Sequence, residues 1–476
     1  MAQRIEIPLV GGHYKSKTLI VDAQECINLF PVVGQSGGRV ASLHPVPGLK
    51  EWTNTTEESS VREIFRFSST KLYAVIGIKV FSITAGGVFA EIPGTLNNNS
   101  GRVQIVSNGT QVLILDLTDG RGYVIEDDIL TEIADADFPI SSSLTYQDGY
   151  AIVGEKGTKR FCISTIDVDS VAAYSASDFT RWDTLESELA EGLNSSLLAI
   201  VSDHDELWTM GSDKIGFYYD SENPDFPFTK TQHPFQEVGL GAVASIVQLD
   251  NSLFWLDDWN NIRRADGYTP VIISTPEISS HLEGFGDTSS ALAFGHRYKG
   301  QSFYCITFPI ANVTYCYDVS TKIWHLRSTG ILGGRWKANC YAFFNRKHLF
   351  GDYQAGKIYE LDDTLFEDAA VRTVRYTDSQ RRRVRYNRLE LHILTGVGNN
   401  VAPGDDPKIM MSFSDNDGAT WSREKFGLLG KLGKNKTRVF WTKIGRSRGR
   451  VFRFRITDPV NRILVALYAD IIVGES

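Results

Sequence analysis

The sequence has little of what a covalently or metal-stabilised protein needs. Its 476 residues include only five cysteines, 15 prolines and four methionines, and the cysteines form no Cys-x-x-Cys pair. The cysteines are Cys26, Cys162, Cys305, Cys316 and Cys340. This odd number and wide spacing argue against a disulfide framework and against a zinc site, so we expect five buried free thiols. With 42% hydrophobic residues, the composition excludes disorder and collagen and allows a sizeable core.

Long apolar runs are absent as well. No stretch approaches the roughly 18 to 20 apolar residues of a membrane-spanning helix, and the amino terminus MAQRIEIPLVGGHYK has no signal-peptide core. We therefore expect a chain that is synthesised in a cytoplasm and does not insert into a membrane.

Helical periodicity is nearly absent. Two short segments, residues 183–193 and 276–282, follow capping-type residues and are predicted to be helices of at most about three turns. Elsewhere the apolar runs are short, alternate with polar residues and are rich in Val, Ile, Phe and Tyr, as is typical of strands. The sequence therefore predicts an all-β fold.

One crude unit, a strand, a polar turn and a second strand, occurs seven times. Its copies begin at Lys71, Gln111, Gly149, Glu206, Ser252, Ser302 and His348. Successive copies start 38 to 57 residues apart, a length that suits a four-stranded propeller blade. A sandwich would show hairpin signals about every 8 to 12 residues without this longer period. We therefore predict a β-propeller of six or seven blades over residues 61–370.

The two ends of the chain differ from the repeats. Residues 1–60 contain Pro-Val-Pro-Gly and a glycine-rich turn, and we predict an N-terminal arm and closing strand there. Residues 371–476 show strongly alternating strands after a shift in composition, which predicts a basic, β-sandwich-like C-terminal domain. This domain holds 21 Lys and Arg against 10 Asp and Glu, a balance of +11, whereas residues 1–370 balance at −19. We expect the two parts to face different partners.

Motifs of hydrolases and metalloenzymes are missing. The nine histidines form no His-x-His or His-Glu-x-x-His pattern, and there is no Gly-x-Ser-x-Gly elbow. Asp257 and Asp258 are adjacent carboxylates, but neighbouring strand residues point to opposite faces, so a hairpin turn is favoured over a general acid/base pair. We therefore predict no catalytic residue, no metal site and no cofactor.

Residues 414–421, SDNDGATW, match the Asp-box pattern of a structural hairpin turn. In such a turn an Asx side chain binds backbone amides and a glycine takes a positive φ. The predicted turn residues are Ser414, Asn416, Gly418 and Trp421. Sialidases carry several such turns, so a propeller glycosidase acting on host glycans is an alternative function, which requires an arginine cluster and a Tyr-Glu pair. Calcium binding by Asp415 and Asp417 is disfavoured because the loop lacks the remaining EF-hand ligands.

Residues 425–457 contain 11 basic side chains and no acidic one. Arg453 and Arg455 alternate with apolar residues, which places the two arginines on one strand face. The predicted basic surface comprises Lys431, Lys434, Lys436, Arg438, Lys443, Arg446, Arg448, Arg450, Arg453 and Arg455. This surface fits either a DNA backbone, where each basic residue displaces a counterion, or an acidic protein partner.

Several stretches along the whole chain carry a family resemblance. They include NLFP at residues 28–31, PGL at 47–49, FTRWDTLESELAEG from Phe179, QEVGLGA from Gln236, LFWLDDWNNIRRADGYTPVIISTPEI from Leu253, GQSFYCITFPIANVTYCYDVSTKIWHLRS from Gly300, SFSDNDGATWSREK from Ser412 and VFWTKIGRSRGRVFRFRI from Val439. In their order and spacing they resemble the packaged-DNA stabilisation proteins of short-tailed bacteriophages, also called tail accessory or tail nozzle proteins.

The resemblance implies a structural protein of the virion tail and not an enzyme. It implies a homohexameric ring below the portal and the head-to-tail adaptor. Such a ring extends the DNA channel, retains the packaged genome and anchors tail fibres, tailspikes or a needle, while double-stranded DNA passes through without sequence recognition. A monomeric propeller adhesin that recognises another protein is a further alternative.

Overall fold

A computed structural model describes residues 3–15, 23–34, 41–165, 177–223, 226–366, 369–378 and 380–474. Across these ranges the secondary structure is almost entirely β, which confirms the predicted all-β fold. No helix in the described ranges is long and apolar enough to cross a membrane.

The chain begins with strands whose partners are distant in sequence. They are Gln3–Ile7 (β1), Tyr14–Lys15 (β2), Ala23–Gln24 (β3), Cys26–Ile27 (β4), Leu29–Val33 (β5), Ala41–Pro45 (β6) and Gly48–Asn54 (β7). β2 pairs with β3 and β5 with β6, whereas β1, β4, β6 and β7 also pair with strands beyond residue 320. Four of these seven N-terminal strands are therefore paired with strands of the last third of the chain.

Seven blades of four antiparallel strands occupy the described part of the middle of the chain. Blades 1 to 3 use Val61–Arg66 (β8), Lys71–Ile76 (β9), Lys79–Thr84 (β10), Phe89–Glu91 (β11), Val103–Ser107 (β12), Val112–Asp116 (β13), Gly122–Glu126 (β14), Ile129–Glu132 (β15), Ser141–Gln147 (β16), Tyr150–Glu155 (β17), Arg160–Ser164 (β18) and Trp182–Leu189 (β19). Blades 4 and 5 use Leu197–Asp203 (β20), Glu206–Gly211 (β21), Ile215–Asp220 (β22), Phe228–Lys230 (β23), Val247–Gln248 (β24), Leu253–Leu256 (β25), Ile262–Asp266 (β26) and Thr269–Ile272 (β27). Blades 6 and 7 use Leu292–Tyr298 (β28), Gln301–Phe308 (β29), Val313–Asp318 (β30), Ile323–Arg327 (β31), Ala338–Phe344 (β32), Lys347–Asp352 (β33) and Lys357–Asp362 (β34), with β7 as the fourth strand of blade 7.

The blades form a closed ring. Seven apolar clusters fill the spaces between successive blades. One of them packs Ile64 and Phe81 of blade 1 against Phe344 and Leu349 of blade 7, which joins the last blade to the first. The predicted propeller is therefore confirmed, and it has seven blades in the described residues.

The seven sequence repeats correspond to the two middle strands of each blade. In blades 2, 5 and 7 the second strand ends at or beside a buried aspartate, Asp116, Asp257 or Asp352. Each carboxylate accepts a hydrogen bond from the backbone N–H two residues later, at 3.0, 2.9 and 2.8 Å. Such Asx turns reverse the chain locally, so Asp257 serves a hairpin turn and not an acid/base pair.

The C-terminal domain is a sandwich of two sheets. Its own strands are Ala370–Thr377 (β35), Val384–Ile393 (β36), Lys408–Ser414 (β37), Lys425–Leu428 (β38), Val439–Ser447 (β39), Gly449–Ile456 (β40) and Leu464–Val473 (β41). One sheet has the order β39-β36-β41, with β1 and β6 pairing to β41; the other, β35-β40-β37-β38, continues through β4 into blade 6. Ile7, Leu29 and Leu43 lie in the same core as Leu389 and Phe452, so the N-terminal strands complete this domain.

Of the two predicted helices, one is confirmed and one is wrong. Pro276–Glu283 (α1) is an α-helix whose first turn is capped by the Thr275 hydroxyl, which accepts a bond from the Ile278 N–H; a 3₁₀ turn, Val243–Ser245, lies before blade 5. Residues 182–189 instead form the outer strand of blade 3 and pair with Arg160–Ser164. Pairing with a strand that is already in place overrides the local helical preference.

The expectation of five free thiols is wrong for two of them. Cys305 and Cys316 are directly opposite each other on β29 and β30, with Cα atoms 4.2 Å apart, and form a disulfide. Cys26, Cys162 and Cys340 are free and buried, as expected. The strand register that brings the pair together is not visible in the spacing of the cysteines.

Blade 6 buries a cation among aromatic rings. The Arg327 guanidinium lies 4.9 Å from the centre of the Phe303 ring and 4.7 Å from that of Trp336, and its Nη1 donates to His296 Nε2 at 3.0 Å. Burial, together with the charge of Arg327, lowers the pKa of His296 and of His325 well below the usual value. Both histidines are therefore neutral in the folded protein at neutral pH.

A buried ion pair joins blades 1 and 2. Arg62 Nη2 and Asp116 Oδ1 are 2.8 Å apart, and both side chains are completely buried. The Arg62 guanidinium also donates to the carbonyls of Gly77, Asn98 and Gly101. It therefore holds in place the turn between β9 and β10 and the connection between blades 1 and 2.

We predict that the buried histidines make folding pH-dependent. Below about pH 6.5 the unfolded chain protonates these histidines and the folded chain does not, so the free energy of unfolding falls as the pH drops. Each histidine adds a slope of up to about 1.4 kcal/mol per pH unit. Chemical denaturation between about pH 7.5 and pH 5 measures this slope. It should be smaller in His325→Phe and unchanged in the exposed control His392→Gln; equal slopes in all three proteins would contradict the prediction.

We also predict that Asp116→Asn destabilises the propeller by about 3 to 5 kcal/mol, because it leaves the Arg62 charge buried without its partner. Asp119→Asn is the matched control in the same turn. Asp119 is partly exposed, and its carboxylate is a long 3.9 Å from the Arg121 guanidinium at the surface. Its effect should stay within about 0.5 kcal/mol. Denaturant unfolding compares the two variants, and equal losses would disprove a special role for the buried pair.

Candidate basic interface

The structure divides the ten predicted basic residues into three groups. Six are exposed and have no ion-pair partner among the described residues. These are Lys431, Lys434, Lys436, Lys443, Arg446 and Arg448. Arg438, Arg453 and Arg455 contact acidic or aromatic side chains, and Arg450 is buried. The ten residues therefore do not form one continuous surface.

Arg450 was predicted to face a partner, and this is wrong. Its side chain is 1% exposed, and its Nε and Nη2 donate to both carboxylate oxygens of Asp415 at 2.6 and 2.7 Å. The guanidinium also lies 4.0 Å from the centre of the Phe413 ring. Position 450 faces the interior because it shares a side of β40 with the core residues Phe452 and Phe454. Arg450 stabilises the domain.

Arg453 and Arg455 lie on the other face of β40, as their alternation predicts. The Arg453 guanidinium is 4.1 Å from the centre of the Trp421 ring, and its Nε donates to Ser412 Oγ at 3.2 Å. Arg455 Nη2 is 3.1 Å from Glu424 Oε1. Both side chains are partly buried and already engaged, which leaves them less available to an external anion.

Arg438 and the lysine loop lie between β38 of one sheet of the sandwich and β39 of the other. Arg438 Nη2 is 2.7 Å from Glu390 Oε1 on the neighbouring strand β36. The loop that carries Lys431, Lys434 and Lys436 is exposed, and its Leu432 is 63% exposed. The loop is therefore a basic surface with an apolar centre.

Four exposed arginines come together where β36 begins and β39 ends. Arg385 and Arg446 are directly opposite each other in the antiparallel pair. Arg383 lies just before β36 and Arg448 just after β39, so both are next to this pair in the chain. None of the four has an ion-pair partner in the described part of the chain. Like charges at opposed positions destabilise a sheet, so this arginine cluster is a place where an anionic partner would stabilise the protein.

Sequence reasoning missed Arg383 and Arg385 as members of this cluster. The run QRRRVRYN that contains them is conspicuous, but it indicated only the start of a domain. What joins the run to Arg446 is the pairing of β36 with β39. Because this pairing links positions about 60 residues apart, the composition of either segment does not reveal it.

The Asp-box residues form the turn after β37. The Ser414 hydroxyl accepts a bond from the Gly418 N–H at 2.8 Å, and Asn416 Oδ1 accepts one from the Thr420 N–H at 2.9 Å. Gly418 has a φ of +93°, and Trp421 packs against Arg453. All four predicted turn residues therefore serve to hold the hairpin.

Both aspartates of this turn form ion pairs with arginines. Asp415 binds Arg450, and Asp417 Oδ1 is 2.7 Å from Arg375 Nη1. Within the described ranges no group of three or more His, Cys, Asp or Glu side chains is placed to hold a metal ion. The turn therefore uses its carboxylates for ion pairs within the domain.

A Tyr-Glu pair of the kind that a sialidase requires occurs between blades 4 and 5. The Tyr268 hydroxyl donates to Glu206 Oε1 at 2.8 Å in a pocket of about 270 Å³. Burial and this hydrogen bond raise the pKa of Tyr268 to about 12. No arginine is among the described residues that line the pocket. The pair therefore lacks the arginine cluster that would bind a sugar carboxylate.

The propeller axis holds a cavity of about 340 Å³. Glu63 is the one carboxylate among its described lining residues, and its Oε2 is 2.6 Å from Arg102 Nη2. Hydrolysis of a glycosidic bond normally uses two carboxylates on opposite sides of the bond. The described lining of this cavity does not provide that pair.

Comparison with solved structures gives weak similarities. A streptogramin B lyase is 13% identical, with 66% of this chain and 97% of that chain covered and a TM-score of 0.43. A catalytically inactive virginiamycin B lyase from Staphylococcus aureus is 15% identical, with 66% and 98% covered and a TM-score of 0.43. The WD40 β-propeller domain of Doa1 is 11% identical, with 67% and 98% covered and a TM-score of 0.41.

Comparison with curated proteins gives no match, whereas comparison with family models covers nearly the whole chain. The model described as bacteriophage P22 Gp10, beta-propeller, matches residues 5–366. The model described as bacteriophage P22 Gp10, beta-sandwich, matches residues 371–471. The resemblance seen in the sequence is confirmed: the chain belongs to the bacteriophage P22 Gp10 family of packaged-DNA stabilisation, or tail accessory, proteins.

Proposed function

We propose that copies of this chain form a homohexameric ring below the portal and head-to-tail adaptor of a short-tailed phage. The ring extends the DNA channel, retains the packaged genome and anchors tail fibres, tailspikes or a needle. The observation that carries the proposal is the match of both domains, in order, to one family of phage tail proteins.

The subunit is suited to a rigid ring because its two domains are joined by more than a linker. The buried Asn28 donates from its Nδ2 to the carbonyl of Ser328, just after blade 6, and to that of Ala369, just before the sandwich strand β35, at 2.8 and 2.9 Å. Strand β4 lies between blade 6 and the sandwich in one continuous sheet. A subunit held in this way presents fixed surfaces at low cost in conformational entropy.

Charge complementarity supports contact between neighbouring copies. The outer strand of blade 3, Trp182–Leu189, exposes Leu185 by 85% and Leu189 by 55%. Asp183, Glu188 and Glu191 are on or next to this strand and have no ion-pair partner among the described residues. This acidic, partly apolar edge is complementary to the arginine cluster. Contact between two different surfaces of one chain is what closes a ring of identical subunits.

We predict that reversing the arginine cluster blocks assembly without unfolding the subunit. In Arg385→Glu/Arg446→Glu/Arg448→Glu the buried Arg450 is left intact, so the denaturation curve should stay close to that of the wild type. Native mass spectrometry, with and without portal and adaptor, should show monomers in place of rings. The matched control Lys431→Glu/Lys434→Glu/Lys436→Glu makes the same change of charge in the exposed loop and should still assemble.

Two results would count against this scheme. If the reversed variant forms rings as the wild type does, the arginine cluster is not the contact. If the wild type itself stays monomeric with portal and adaptor, the ring is wrong and the propeller-adhesin alternative is favoured. Restored assembly on mixing the reversed variant with Glu188→Lys/Glu191→Lys would identify the acidic strand as its partner.

The proposed role in genome retention gives a prediction for whole particles. Particles made without this protein should package DNA and then lose it. The reason is that no ring then closes the portal end of the channel. Encapsidated DNA is measured by nuclease protection over time. Genomes that stay protected in such particles would show that another component retains them.

A further inference from the structure

A pocket of about 500 Å³ opens at the end of the propeller axis where the second strand of each blade ends. Blades 1, 2, 5, 6 and 7 contribute to it. Its described lining contains two arginines, Arg102 and Arg335, together with hydroxyl and amide side chains, and no Asp or Glu. This composition is notable because residues 1–370 carry a net charge of −19.

Arg335 is a buried cation whose hydrogen-bonding capacity is mostly unused. The residue is 8% exposed, and its guanidinium lies 3.9 Å from the centre of the Tyr353 ring. Its Nη2 donates to Asn339 Oδ1 at 3.0 Å, whereas its Nε is buried and has no hydrogen-bond partner. No described carboxylate lies within ion-pair distance of it.

The neighbouring charges do not neutralise this arginine. Asp352 is the carboxylate that influences Arg335 electrostatically, but it is buried and accepts bonds from the Tyr359 hydroxyl and the Gln354 N–H. Arg102 is already paired with Glu63 at 2.6 Å. Burial of a guanidinium without a paired anion is costly, so an anion that pairs with this guanidinium from the pocket would stabilise the folded protein.

We propose that this pocket binds a small oxyanion, a phosphate or a carboxylate, with Arg335 as the group that pairs with its charge. A planar guanidinium matches two oxygens of such a group through parallel N–H···O bonds. Thr118 and Ser290 line the same pocket and supply hydroxyl donors. Tyr353 and Asn339 hold the guanidinium in a fixed orientation, which lowers the entropic cost of binding.

Binding is tested on the full-length chain with inorganic phosphate and, separately, with malonate, while chloride keeps the ionic strength constant. Calorimetry and thermal unfolding should show saturable binding and a matching rise in Tm with at least one of the two anions. The anion that acts distinguishes a phosphate ligand from a carboxylate ligand. If neither anion acts beyond the effect of chloride, the proposal fails.

Two variants and one control locate the site. Arg335→Met removes the charge and keeps most of the volume, while Asn339→Asp places a carboxylate on the atom that Arg335 Nη2 already contacts. Each should weaken binding about tenfold or more, because a charge-assisted bond is lost or already satisfied within the protein. Arg66→Met, at an exposed arginine, should bind as the wild type does. Unchanged affinity in a folded Arg335→Met or Asn339→Asp protein would overturn the assignment, and ring assembly is measured independently of it.

Discussion

The pairing of Gly48–Asn54 with Lys357–Asp362 is the contact on which the rest of the structure depends. Through this pairing Gly48–Asn54 becomes the outermost strand of blade 7 and closes the ring. Each blade in the described residues therefore has four strands. The strand before it, Ala41–Pro45, belongs to the sandwich, so one short segment sets both ring closure and domain placement. Gly48 allows the close approach this requires, because a Cβ there would lie 2.9 Å from the Leu365 carbonyl oxygen. The N-terminal arm is thus a structural part of both domains.

Four of the buried arginines form two contrasting pairs. Arg62 and Arg450 each have a carboxylate partner and fix a turn or a strand, so their role is stability. Arg327 and Arg335 are buried without such a partner among the described residues, and burial lowers the pKa of Arg327 to about 9 and of Arg335 to about 10. Arg327 is enclosed by rings and neutral histidines, whereas Arg335 lines a pocket. Only the second arrangement gives a ligand access to the charge.

The blade repeats could be predicted from sequence because each is a local hairpin. A strand, a polar turn and a second strand leave their pattern in about 15 adjacent residues. The positions that were missed depend on strand register and on which face of a strand points to the core. The side of β40 that faces the core decides that Arg450 is buried while Arg453 is not. The register of β36 against β39 brings Arg385 to Arg446, and that of β29 against β30 brings Cys305 to Cys316. One strand slipped by one residue would reverse each of these outcomes.

The size of the axial cavity bears on where DNA would run in the proposed ring. The axial cavity of a single propeller is not the path, because its volume is about 340 Å³ and the Glu63–Arg102 ion pair forms part of its lining. The major groove of a B-form duplex alone is about 12 Å wide and 8.5 Å deep, so a duplex is far too large for this space. The channel of the proposed assembly must therefore lie between subunits and be lined by outer surfaces of the chain.

The charge of that lining decides how DNA moves through the channel. An acidic lining would repel the phosphates and let DNA slide, whereas arginines turned toward the channel would hold the DNA through counterion release. In the proposed ring, burying the arginine cluster in contacts between subunits would keep these side chains out of the channel and leave it free for passage.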